Sequence, residues 1–69
     1  MAENATKARK MIDGHRSHIR SHIDKYNIYR EEYEKRNMVK QIENAQNQIT
    51  SLRRKFSSIG ESWEDTWRP

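Results

Sequence analysis

Apolar side chains recur along this sequence at alternating steps of three and four, which restricts the chain to helices that bury a shared seam. Ala5, Ala8, Ile12, His15, Ile19, His22, Tyr26, Tyr29 and Tyr33 form one series, with His and Tyr counted as amphipathic. Met38, Ile42, Ala45, Ile49, Leu52, Phe56 and Ile59 form a second. Such spacing puts each series on one helix face, in the manner of a coiled-coil seam. No period-two alternation competes, so strand is not expected. The two series are out of phase, because Tyr33 to Met38 is a step of five.

The phase slip implies two helices, and the turn between them has two candidate positions. Tyr26-Asn27-Ile28-Tyr29 joins three weak helix formers to an Asn that can cap. Glu31, Glu32 and Glu34 follow, as the first turns of a helix prefer, and Arg53, Arg54 and Lys55 suit its last turns. Gly60 supplies a stop. A rival turn at Lys35-Arg36-Asn37 would leave the three glutamates near a helix C-terminus, which the macrodipole disfavours. A single continuous helix with a stutter is the third arrangement. The expected fold is therefore all-α: an antiparallel hairpin of helices over about residues 3–25 and 29–58. With a turn near Asn27, the hairpin pairs Ala5 with Leu52, Ala8 with Ile49, Ile12 with Ala45, His15 with Ile42 and Ile19 with Met38. Residues 1–60 form the hairpin and residues 61–69 an acidic, Trp-containing tail.

Size limits what such a hairpin does alone. The chain has 69 residues, 32% of them hydrophobic and 35% charged. One core of this size supplies only ~3–5 kcal/mol. There are no cysteines, so neither disulfides nor thiolate zinc can staple it. Met11, Ile23, Ile28 and Val39 flank the seams and stay exposed on a lone hairpin. A homodimer, with four helices around one core, is thus expected. No apolar run is long enough to span a membrane. The polar start, Met1-Ala2-Glu3-Asn4, leads into no apolar signal core, so a cytoplasmic protein is expected.

Charge gives the sharpest functional reading. The net charge is +4, which points to an anionic partner, either an acidic protein surface or nucleic acid. In an antiparallel hairpin, Arg53, Arg54 and Lys55 reach the same open end as Lys7, Arg9 and Lys10. Arg16-Ser17-His18-Ile19 is followed by Arg20-Ser21-His22-Ile23, a tetrad repeat that aligns Arg16 and Arg20 along one helix face. Guanidinium groups so placed suit carboxylate or phosphate.

Two further clusters complete the candidates. His15, His18 and His22 share a helix face, and His18 with His22 has the spacing of a metal chelate. No HExxH arrangement accompanies them, since position 19 is Ile. The expectation is that His15 and His22 pack in the seam, with no metal and no cofactor. In the tail, Ser62 and Asp65 have capping-box spacing, and Trp63 and Trp67 are one helical turn apart. Either the tail folds back, closing the open end and bringing Glu64 and Asp65 to the basic cluster, or its indoles are docking anchors. The chain therefore reads as a non-enzymatic adaptor or inhibitor that docks an anionic partner. A nucleic-acid-binding protein is the first alternative, and a metal-dependent enzyme or toxin fragment using the histidines is the second.

Overall fold

The computed structural model describes residues 4–69, so the first residue of the expected first helix lies outside the described residues. Helix α1 spans Ala5–Ile28 and helix α2 spans Glu32–Lys55, packed as an antiparallel hairpin. A short 3-10 turn, Trp63–Asp65, packs against both. Each helix has 24 residues, about 36 Å at the α-helical rise, which accounts for most of the molecule's 43 Å long axis. Neither is apolar enough to cross a membrane.

Asn4 opens α1 as its sequence suggests, its Oδ1 accepting from the Lys7 N–H at 2.8 Å. The helix then runs through Tyr26, Asn27 and Ile28, three residues past its expected end. Tertiary contacts override the weak local propensity there. Trp67 stacks edge-on against Tyr26 at 5.7 Å, and the Lys35 ammonium sits 4.6 Å from the Tyr26 ring centroid. The Tyr29 N–H closes the helix on the Lys25 carbonyl at 2.9 Å.

The turn is consequently Tyr29–Glu31 rather than Asn27, and the hairpin is symmetric about position 30. Ile28 ends one helix where Glu32 begins the next, and Ala5 lies at the same end as Lys55. The expected pairing slides by about one helical turn. Ala8 falls level with Leu52, while Ile12 and Ile19 fall level with positions next to Ile49 and Ile42. The large side chains therefore meet in common layers: Ile12, Ile19, Ile42 and Ile49 are all less than 2% exposed. The expected partners of Ile19 and Ile42 fare differently, since Met38 and His15 are only partly buried. Of the flanking residues, Ile23 is buried and Val39 half-buried, while Met11 and Ile28 are exposed.

Helix α2 stops at Lys55, short of the expected 58, and Gly60 is not its stop: no described glycine has a positive φ. The Phe56 N–H caps onto the Leu52 carbonyl and the Ile59 N–H returns to the Phe56 carbonyl, both at 3.0 Å. This bend takes Ile59 into the core at 6% exposure, with Phe56 packed beside it. Burying Ile59 over the open end is worth on the order of 2 kcal/mol, more than Ser57 and Ser58 lose by leaving the helix.

Candidate functional site

The bend at Ile59 and Gly60 sends the tail back along the hairpin. The Arg16 Nη2 donates to the Gly60 carbonyl at 2.9 Å, so the chain is already beside the middle of α1 when the 3-10 turn begins. The Ser62 N–H donates to Asp65 Oδ2 at 3.0 Å, one half of a capping box, and the Ser62 hydroxyl bonds the Glu64 carboxylate. Asp65 takes two contacts from Arg16, Nε to Oδ1 at 2.9 Å and Nη2 to Oδ2 at 2.7 Å. One turn further along α1, Arg20 Nη1 reaches Glu64 Oε2 at 2.6 Å.

Helix α2 supplies the other wall. Gln46 is 4% exposed, and its amide nitrogen donates to the Glu64 carbonyl at 3.0 Å and the Trp67 carbonyl at 3.1 Å. Its amide oxygen accepts from Arg68. Trp67 packs partly against the core, whereas Trp63 is 56% exposed. The two indoles are therefore not presented together.

Arg16, Glu64 and Asp65 are each shifted toward their charged forms in this arrangement. Burial pushes the Glu64 carboxyl up, but hydrogen bonds from Ser62 and Arg20 outweigh it and hold the group below its ordinary value. Asp65 is held low likewise, burial being outweighed by the Arg16 and Ser62 hydrogen bonds and the attraction of Arg16 and Arg53. The hydrogen bond to Asp65 raises Arg16. Buried carboxylates hold a negative charge only when hydrogen bonds and a cation replace their water.

The tail thus folds back, but to a place the sequence reading did not assign. Its carboxylates pair with Arg16 and Arg20 instead of closing the open end. There, the first turns of α1 carry Lys7, Arg9 and Lys10, and the last turn of α2 carries Arg53, Arg54 and Lys55. Arg53 is half-buried, its Nε donating to the Ile59 carbonyl at 3.3 Å; the other five are exposed. No acidic residue occupies the first turn of α1. The Lys7, Arg9 and Lys10 charges therefore lie near the positive end of the helix macrodipole, which disfavours them. Gln46 is the contributor that charge patterning missed. Its position in phase with Ile42, Ala45 and Ile49 was the available signal.

The histidines separate into a pair and an outlier. His18 and His22 stand edge to face with centroids 4.1 Å apart, and their Nε2 atoms are 2.8 Å apart. His22 is 6% exposed, and its Nδ1 has no partner. One of the two facing Nε2 atoms donates to the other, so the His18–His22 contact needs at least one of these nitrogens protonated. His15 is half-buried beside His18, in a shallow groove with Gln41, Asn44 and Gln48. Among the described residues, no three His, Cys, Asp or Glu side chains gather as metal ligands would.

A pH dependence follows. Burial, reinforced by His18 and Lys25, lowers the His22 pKa, with only Gln41 on α2 opposing. The folded state therefore prefers neutral His22. Its contribution is fully present above the unfolded pKa, about 6.5, and is lost as pH falls through the lower folded value. Melting temperature should be flat above pH 7 and begin to fall as pH drops below about 6.5, and His22→Gln should flatten that limb. A second loss, from Glu64 and Asp65, belongs below about pH 4, because their folded pKa values are depressed. A thermal melt series across pH 3–8 separates the two windows.

Compared with known protein families, curated proteins and solved structures, the chain shows no match.

Proposed function

We propose that this protein is a small, non-enzymatic binding module that docks an acidic protein surface through the open end of its hairpin. The observation that carries the reading is the gathering of the exposed Lys7, Arg9, Lys10 and Arg54 at that end, beside Arg53 and Lys55, while Arg16 and Arg20 bond the tail carboxylates. Like charges held close raise the energy of the free molecule, and an external anion relieves it. Along the middle of the hairpin, polar side chains pair with one another. Arg16 and Arg20 meet carboxylates, and His22 meets His18.

The shape of the basic region favours an acidic protein over nucleic acid. The cations cluster at one tip of an elongated molecule 21 × 14 Å in its shorter dimensions. A duplex groove or backbone is better followed by a stripe along a helix.

The test compares two triple variants of equal charge change in exposed residues. Lys7→Gln, Lys10→Gln and Arg54→Gln remove charge from the open end; Arg30→Gln, Arg36→Gln and Lys40→Gln remove it around the turn. The first should weaken binding to immobilised polyaspartate by roughly tenfold, at about 0.5 kcal/mol per exposed charge, and the second by less than twofold. Equal losses from both would show that only total charge matters. Tighter binding to duplex DNA, with a steep salt dependence lost in the open-end variant, would replace this reading with the nucleic-acid one.

A further inference from the structure

The contacts that hold the tail have the chemistry of ligand recognition. Arg16 grips Asp65 through two N–H donors in the fork geometry that selects a carboxylate. Arg20, one helical turn away, takes the neighbouring carboxylate of Glu64, with its own side chain still 51% exposed. Gln46 donates to main-chain carbonyls of Glu64 and Trp67. Those two contacts read a peptide backbone regardless of its side chains, which distinguishes a polypeptide from a free phosphate. Tyr26 offers an aromatic edge to the residue two positions beyond the acidic pair.

None of these contacts requires the bound segment to belong to the same chain. The connection between hairpin and tail is anchored at Ile59 and Gly60, whose carbonyls accept from Arg53 and Arg16, so residues 62–68 can leave without moving the buried Ile59. The tail also leaves Trp63, its largest side chain beside the acidic pair, 56% exposed. The exposed part of that indole is contact surface open to a partner.

We infer that Arg16, Arg20, Gln46 and Tyr26 form a second recognition groove, for an acidic peptide with two adjacent carboxylates. Residues 62–68 fill this groove in cis, and an acidic segment of a partner fills it by displacing them. The groove's side-chain donors are distinct from Lys7, Lys10 and Arg54 of the open-end cluster, so either reading can fail alone. Tethering gives the tail an effective concentration of order millimolar. An untethered segment therefore enters only when it binds better than the tail or when the tail is weakened.

The experiment uses the full chain and a fluorescein-labelled peptide of residues 61–69, followed by anisotropy. Glu64→Gln with Asp65→Asn removes the tail's charges while leaving Trp67 and the Gln46 contacts in place. This variant should bind the labelled peptide roughly tenfold or more tightly than the unaltered chain. Adding Arg16→Gln and Arg20→Gln should abolish the gain. A peptide carrying Glu64→Gln and Asp65→Asn should not bind. Lys7→Gln, Lys10→Gln and Arg54→Gln, introduced into the tail variant, should change peptide affinity by less than twofold even if they eliminate polyaspartate binding. The inference is overturned if the tail variant binds the peptide no better than the unaltered chain. It is equally overturned if that variant loses its helical circular dichroism, since the tail would then be an obligatory part of the fold and not a replaceable occupant.

Discussion

Replacing Ile49 with alanine should abolish cooperative folding at room temperature. Ile49 is 0% exposed and shares the core with the equally buried Ile12 and Ile19. Truncating such a side chain costs ~2–5 kcal/mol, through lost burial and the cavity left behind. One small core supplies ~3–5 kcal/mol in total, so the loss is comparable to the whole stability. Far-UV circular dichroism should show most of the helical signal gone before any urea is added. Met11→Ala is the control: Met11 is 40% exposed, and a surface change of this kind moves stability by only ~0.5 kcal/mol. A sharp urea transition in Ile49→Ala, close to that of the unaltered protein, would contradict the assigned core.

Arg16→Gln should be the most damaging substitution outside that core. The Asp65 side chain is 3% exposed and Arg16 is its cation. An unpaired carboxylate in that position costs ~3–5 kcal/mol if it stays buried. The tail has an escape, because it can leave the groove and return the carboxylate to water. The observed loss is then capped at the free energy with which the tail docks. Two signals distinguish the outcomes. Tail release shifts tryptophan emission to the red as Trp67 leaves Tyr26, while the helical signal persists. Global unfolding moves both together. Adding Asp65→Asn to Arg16→Gln should recover part of the loss, since the buried charge goes with its partner. An unchanged urea midpoint in Arg16→Gln would mean that the Arg16–Asp65 pair contributes nothing.

The hairpin was legible because its signal is periodic. Ile12, Ile19, Ile42 and Ile49 stand in the phase that the three-four spacing requires, and all four are core residues. The turn was misplaced by about three residues because Tyr26-Asn27-Ile28 has weak helix propensity, and propensity was the only local guide. What extends the helix is the contact of Tyr26 with Trp67, 41 positions later in the sequence, and no local pattern encodes it. The capping box could be read from Ser62 and Asp65, and so could the charge complementarity between Glu64-Asp65 and a pair of arginines. The choice of Arg16 and Arg20 over the open-end cluster could not. It depends on where the chain bends after Lys55, and that bend follows from burying Ile59 rather than continuing the helix to Gly60.

The docked tail also gives the hairpin a front and a back. Two antiparallel helices alone expose equivalent grooves on both sides of their seam, and a molecule with two such faces can stack without limit into fibres. Here one side is filled by residues 62–68, leaving the side lined by His15, His18, Gln41, Asn44 and Gln48. Any association through that remaining side would be self-limiting. Two copies meeting there would present their filled faces outward, and growth would stop at the pair.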